Sequence, residues 1–338
     1  MNRFAGDHRR ITIADVAQHA GVSKTTVSHV LSGRRPVALA TRERVEGSIR
    51  ELGYRPDGLA RSLRTRRSHL VALLIPDITN PFYPVLARGL ESGMDGAGYR
   101  VVICNTDSRS ESELEFVGEM ADRRVDGIVL DSSSVGVDEL RELTGPSLPV
   151  VWIGAEGSAH PGIDSVKSDD EQGAFDVTMH LIRRGCARVA MIDGTPSSGA
   201  PRNAGHLRAL VDAGRSNGSP IVRHGGWTRA GGARAMAELL DAGPIPDGVF
   251  CANDLMAIGA LDTLRARGLR VPGDVAVAGF DDIDAAAIVT PPLTSVVNPA
   301  FETGRVAGTL LMERMTGAYT GPQRAVTLPC RLVARASA

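Results

Sequence analysis

The sequence predicts an α/β chain, with a small all-helical module at the N-terminus and a two-lobed body of parallel sheets covered by helices. Three observations predict it. From Leu70 onward, short apolar runs alternate with amphipathic stretches, the pattern of buried strands and covering helices. Before Leu70, apolar residues recur at helical spacing and are interrupted by glycine. Charge divides at the same place: Met1 to Leu70 carries 14 Arg/Lys against 6 Asp/Glu, and the remainder carries 24 against 33. A basic head on an acidic body, within a formal net charge of -1 over 338 residues, points to a polyanion-binding module joined to something else.

Thr12 followed by Asp15 fits a capping box, and Ile13, Val16, Ala17 and Ala20 then mark one helical face, ended by Gly21. Ser23 is placed to cap a second helix to about Leu31, with Val27, Val30 and Leu31 inward and Gly33 at its end. Val45, Ile49 and Leu52 suggest a third helix, closed by Gly53. Two short helices joined by a tight glycine turn form a helix-turn-helix. Three small helices alone are equally a structural bundle, and the outward face of the second helix argues against that. Lys24, Thr25, Ser28 and His29 are polar groups near the end of a recognition helix that meets base edges. Lys24 suits guanine acceptors, and the Thr25 methyl suits a thymine methyl. Thr12, Arg34, Arg35, Arg42 and Arg55 are expected on phosphates, which position a module without reading sequence.

Residues 56–67 (PDGLARSLRTRR) place Asp57 as a cap and Leu59 and Leu63 at i, i+4. They read either as a basic linker, favoured by Gly58, or as a hinge helix that folds on DNA. In the body, Leu70–Ile75, 100–104, 127–130 and Val150–Ile153 read as strands, with helices over 84–97 and 111–123. The pattern repeats at 189–192, 221–223, Gly248–Cys251 and 275–278. Ligands of open α/β sheets sit at the carboxyl ends of strands. Asp77, Asn253-Asp254 and Asp281-Asp282 follow strands there, and Phe82 offers a stacking face. Each acidic pair also begins a helix; we expect Asp254 and Asp282 to cap, with Asn253 and Asp281 facing a cleft.

Catalytic signatures are missing: there is no GxxxxGK, GxSxG or HExxH, and Gly96-Ala97-Gly98 is no dinucleotide fingerprint. No catalytic residue, cofactor or metal site is expected. Cys104, Cys186, Cys251 and Cys330 lack ligand spacing and read as free thiols in a reducing cytoplasm. The N-terminus has no signal-like apolar stretch, and no segment suits a membrane span.

IADVAQHAGVSKTTVSHVLSG, RPDGLARSL and the C-terminal LVARAS resemble the LacI/GalR family of bacterial repressors, over nearly the whole chain. The resemblance implies a LacI-type helix-turn-helix over 1–56, a hinge helix and linker over 57–69, and a type I periplasmic-binding-protein-like effector domain over 70–338. It implies hinge helices paired in the minor groove through Ala60, Leu63 and Arg64, with Leu63 wedged into a base step. It implies chain crossings between lobes near Ser168 to Asp170, near Asn298 and near Val326. Arg202, in the ArgxxGly spacing ending at Gly205, is implied as the ligand-gripping arginine. Trp227 is implied as an aromatic wall, and Asn253 and Asp281 as partners of ligand hydroxyls. Departures are His29, Asp57, Ala38, Gly154 and His206, where other residue types are more usual.

The function expected is a DNA-binding transcriptional regulator, a repressor acting on a pseudo-palindromic double-stranded operator as a homodimer. Its effector is expected to be a sugar or sugar derivative, with a purine or nucleoside as the alternative. A cytoplasmic solute-binding sensor is the competing class, which would leave the basic head without purpose. No heptad tail follows Arg335, so dimers are expected over tetramers.

Overall fold

A computed structural model describes residues 11–32, 35–54, 67–131, 135–154, 163–195, 199–215 and 220–338. Two compact units emerge, Met1–Ser68 and His69–Ala338.

The first unit holds α1 (Ile13–His19), α2 (Lys24–Ser32) and α3 (Leu39–Leu52). Thr12 and Asp15 close the expected capping box, and Gly21 (φ +63°) and Gly53 (φ +62°) take the left-handed conformation that lets the chain reverse. Ala38 caps α3 with no side-chain bond. Val16, Ala17, Ala20, Val27 and Val45 form the core, with Val30, Ile49 and Leu52 against it. Leu31 departs from its expected inward place and is 38% exposed. It follows Val30 by 100° around the helix, beyond the stripe that the small core covers.

The second unit contains two six-stranded sheets. The first lobe is built from β1 (Leu70–Ile75), α4 (Phe82–Gly93), β2 (Arg100–Asn105), α5 (Ser110–Asp122), β3 (Gly127–Asp131), α6 (Val137–Thr144), β4 (Val150–Ile153) and β5 (Ile163–Ser168). The second lobe follows with α7 (Asp170–Arg183), β6 (Val189–Asp193), α8 (Ala200–Asp212), β7 (Val222–His224), α9 (Arg229–Asp241) and β8 (Gly248–Cys251). It continues through α10 (Asp254–Ala266), β9 (Ala276–Asp281), α11 (Asp284–Ile288) and β10 (Thr294–Val297). The chain then returns to the first lobe with α12 (Ala300–Thr316) and β11 (Ala325–Leu328), and ends in the second with β12 (Arg331–Val333).

Strand orders are β11-β5-β4-β3-β1-β2 and β12-β10-β9-β8-β6-β7, parallel throughout except for β12 on β10. Burial on both faces explains the unbroken apolar runs: Val71 to Ile75 are all at most 1% exposed. α4 and α12 approach so closely that a methyl on Gly89 would lie 2.0 Å from the Phe301 carbonyl oxygen, and one on Gly304 2.0 Å from that of Leu86. The small residues let α12 seat Ala307, Leu310 and Leu311 in the first-lobe core.

The third crossing lies at Pro329 and Cys330, later than the sequence suggested. Val326 pairs with Val166 in the first sheet, and Leu332 pairs with Val296 in the second. The helix expected over 84–97 stops at Gly93 and starts earlier, at Phe82, because Pro84 is tolerated in a first turn, where its missing N–H has no partner to lose.

Candidate functional site

In the first unit, Ser23 Oγ accepts from the Thr26 amide at 3.0 Å, fixing the first turn of α2. Lys24 and Thr25 lie exposed on that turn, which carries no acidic residue, while Ser28 and His29 are half-buried further along. Anions are therefore not repelled from the positive end of the helix dipole. Arg35 and Arg42 are exposed. Thr12 is committed to its cap: its amide and hydroxyl donate to Asp15 Oδ2 at 2.8 and 2.7 Å. A pair the sequence did not reveal, His19 Nδ1 with Ser48 Oγ at 3.0 Å, ties α1 to α3. Arg34, Arg55, Ala60, Leu63 and Arg64 lie outside the described residues, as do Gly33 and Asp57.

In the second unit, Arg202 on α8 is the centre of a charged cluster. Its Nε donates to Asp170 Oδ2 at 2.9 Å, Nη1 donates to the Ala252 carbonyl, and Nη2 lies 3.5 Å from Asp281 Oδ1. The guanidinium stacks 3.9 Å from the Phe280 ring centroid and 5.5 Å from that of Trp227. Burial opposes its charge, but Asp170 and Asp281 outweigh burial and hold its pKa above the ordinary value. These groups come from the ends of β5, β8 and β9, so the sheet topology brings them together.

Asp281 has φ +101° and Asp282 φ +51°, a conformation unfavourable for side chains bearing a Cβ. Asp254 stabilises that turn. It is fully buried and accepts from the Ile283 amide at 2.9 Å and Ser295 Oγ at 2.6 Å. Ser295 Oγ in turn accepts from the Asp282 amide at 3.2 Å.

At the first pair the capping role thus falls to Asn253 and not to Asp254. Asn253 is the cap of α10, its Oδ1 accepting from the Met256 amide at 2.9 Å and its Nδ2 donating to the Trp227 carbonyl at 3.0 Å. Asp254 caps nothing. Asp282 pairs with Arg335 at 2.6 Å, and α11 has no side-chain cap. Only Asn253 has the extended backbone that aims a side chain back at the helix amides.

Trp227 (φ +64°) lays its ring against Gly194, where a methyl would fall 1.9 Å from the ring. Asp77 is taken up by a local turn, accepting from the Thr79 amide at 2.8 Å and hydroxyl at 2.7 Å. Phe82 packs on the first-lobe core and edge-on to Tyr83 at 5.2 Å.

Across from Arg202 the first lobe contributes two residues that the sequence reading missed. Tyr83 and Asp131, the latter at the end of β3, interact with each other, and both feel Arg202 electrostatically. Burial raises the Tyr83 pKa well above its ordinary value. Burial also lifts Asp131 to about 6, against the Tyr83 bond, and lifts Asp281 to about 6, against Arg202. The signal for Asp131 was present, because it ends a strand just as Asp281 does. Asn298 was read only as a crossing point, yet its Nδ2 donates to Asp281 Oδ1 at 3.1 Å.

His206, one turn after Arg202, is fully buried with Nδ1 3.1 Å from Thr178 Oγ1, and burial depresses its pKa to about 4. The unfolded chain therefore binds the extra proton between about 4 and 6.5. Stability from keeping His206 neutral is complete above pH 6.5 and falls as pH drops toward 4. Wild type minus His206→Gln stability, from urea midpoints, is expected to shrink by up to about 3 kcal/mol between pH 7.5 and 4. Asp131 and Asp281 have the opposite sign, losing stability as pH rises through 4 to 6, and cancel in that difference. A pH-independent difference would refute the assignment.

Among the described residues no helix is long and apolar enough to cross a membrane, and no three His, Cys, Asp or Glu side chains cluster as a metal site.

Comparison with known proteins agrees with this architecture. Residues 12–57 match the lacI family of bacterial regulatory proteins, and residues 178–338 match the periplasmic binding protein-like domain. Catabolite control protein A of Priestia megaterium is 37% identical over 97% of this chain and 99% of its own length. Among solved structures, the complex of the transcriptional regulator CelR with cellobiose has 34% identity and a TM-score of 0.74, covering 97% of this chain and 100% of that one. The lac repressor dimer bound to operator and the anti-inducer ONPF has 26% identity and a TM-score of 0.85, covering 97% and 99%. A regulator that is not an enzyme fits both the helix-turn-helix and the charged strand-end cluster of the body. The chain belongs to the LacI family of bacterial transcriptional regulators.

Proposed function

We propose that this regulator is a cytoplasmic repressor that binds a pseudo-palindromic operator as a homodimer and is controlled by a sugar or sugar derivative bound around Arg202. The observation that carries the effector reading is the Arg202 cluster between aromatic faces, with Asp131 and Tyr83 opposite it on the other lobe. Hydroxyls suit carboxylates and a guanidinium as hydrogen-bonding partners, and sugar faces suit aromatic rings. The relatives are consistent: one complex holds cellobiose, and another structure is a dimer on its operator. Lys24, Thr25, Ser28 and His29 read bases; Arg34, Arg35, Arg42 and Arg55 hold phosphates; Ala60, Leu63 and Arg64 enter the minor groove. Effector binding alters lobe closure and thereby whether paired hinge helices form, a coupling between two DNA-competence states.

Selection of bound genomic fragments, followed by affinity measurement at graded salt, tests the DNA half. The log-log salt slope is expected at roughly -5 to -9, for about 6–10 phosphate contacts. Leu63→Ala should weaken the selected operator strongly, through loss of a wedge that repays a few kcal/mol of unstacking, with effector binding intact. Salt-independent binding, or an unchanged Leu63→Ala affinity, would refute the operator reading or the wedge respectively.

A further inference from the structure

We propose that Arg335, two residues beyond β12, is a positioning residue: it holds the Asp281-Asp282 turn in the form that turns Asp281 toward Arg202. Its bearing on effector binding rests on the Arg202 reading above. The dependence of the turn on Arg335 stands apart from that reading.

The segment that carries Arg335 is a rigid mount. β12 runs antiparallel to β10, with Val333 opposite Ser295. Beyond it, the Arg335 amide donates to Thr294 Oγ1 at 2.9 Å. Ser337, fully buried, donates its hydroxyl to the Val277 carbonyl at 2.6 Å and accepts from the Thr294 amide at 2.8 Å. The Ser337 carbonyl accepts from the Val277 amide at 2.9 Å. Val277 and Thr294 are buried residues of β9 and β10, so the backbone on either side of Arg335 is fixed to the sheet whose end the turn forms.

From that mount, Arg335 Nη1 donates to the Leu293 carbonyl at 2.7 Å and lies 2.6 Å from Asp282 Oδ1. The two side chains are only 19% and 17% exposed, so water screens the pair weakly. Arg335 makes no described contact with Asp281; it acts through Asp282. The turn needs such a hold, because Asp281 at φ +101° lies beyond the left-handed region that aspartate tolerates. Ser295 Oγ and Asp254 accept from the amides of Asp282 and Ile283 and so hold the backbone. Arg335 holds the Asp282 side chain, which is spared from capping because the five-residue α11 has no side-chain cap. With Asp282 released, the backbone can return to an ordinary φ, and the Asp281 carboxylate then leaves its place 3.5 Å from Arg202.

The test is urea unfolding of the full-length chain, with and without Asp281→Asn, at pH 4 and 7.5. Burial lifts Asp281 to about 6, so the folded chain keeps a proton that the unfolded chain has released, and stability is lost as pH rises through that range. The ratio of the wild-type unfolding constant to that of Asp281→Asn is therefore expected to rise about 50-fold from the lower pH to the higher. Arg202, Asp170 and Asp254, which also interact with Asp281, are present in both members. Arg335→Gln keeps a donor for the Leu293 carbonyl but loses the charge. In that background Asp281 reaches water and the rise should shrink below about fivefold. Loss of a cation with the turn unmoved would push Asp281 further up, so the two outcomes differ in sign. Arg335→Lys keeps the charge for Asp282 and should restore the wild-type profile. Should Arg335→Gln fail to fold, Thr294→Val, which frees the Arg335 amide and leaves its side chain intact, should shrink the rise as well. An unchanged or steeper rise in the variant that folds would overturn the positioning role. No ligand enters the measurement, so that result would leave the sugar reading standing, and a failure of sugars to bind would leave the positioning role standing.

Discussion

Arg202→Ala is expected to abolish effector binding and to destabilise the 69–338 unit by about 3–5 kcal/mol, the range for breaking a buried ion pair from one side. The arginine is 9% exposed and satisfies Asp170, Asp281 and the Ala252 carbonyl together. Its removal leaves the buried Asp281 carboxylate and the half-buried Asp170 without a counter-charge and opens a hole between Phe280 and Trp227. Arg202→Lys should recover part of the stability and little of the affinity, because one ammonium cannot span three acceptors or stack between two rings. Urea unfolding and effector titration of both variants check this. Wild-type stability in Arg202→Ala would show that the cluster is not energetically coupled.

The second large effect is expected from Gly205→Ala, a single methyl outside the cluster. On α8 this glycine faces α7 so closely that its Cβ would fall 2.0 Å from the Glu171 carbonyl oxygen and 2.9 Å from the Phe175 amide nitrogen. Carbonyl backbone cannot rotate aside, so α8 must move away from α7. Overpacking of this kind costs about 1–3 kcal/mol. The same shift would stretch the 2.9 Å bond from Arg202 to Asp170, since one residue is on each helix. Effector affinity should therefore fall at least about tenfold, as positional errors near 1 Å do at preorganised sites. Ala204→Ser, at an exposed neighbouring position, serves as the control and should change neither quantity. Equal effector affinity in Gly205→Ala would separate the helix contact from the site. The ArgxxGly spacing has a physical meaning here: glycine brings the helices together one turn away from the arginine that bridges them.

Much of the local structure was legible in the sequence because it depends on near neighbours. The Thr12–Asp15 capping box, the left-handed caps at Gly21 and Gly53, and the runs Leu70–Ile75, Val150–Ile153 and Gly248–Cys251 follow from spacing and burial pattern alone. Strand and helix alternation determined parallel sheets, and the division of charge at Leu70 marked the boundary between the basic head and the body. Arg202 and Asp281 were reachable through the family resemblance, and the structure brings them within 3.5 Å of each other.

What tertiary structure alone decided concerns partners distant in sequence. Asn253 and Asp254 are adjacent residues that both accept hydrogen bonds, and either could cap α10 on sequence grounds. The choice falls to Asn253 because Asp254 is engaged by Ser295 and the Ile283 amide, 41 and 29 residues away. Asp77 satisfied the strand-end rule but is occupied by its own turn, whereas Asp131 joins the cluster because β3 lies beside β1 and carries it opposite Arg202. The third crossing also depends on pairing, since β11 and β12 are short, similar strands separated by two residues. Spacing along the chain determines which face a residue takes; only the packed sheets determine what it meets there.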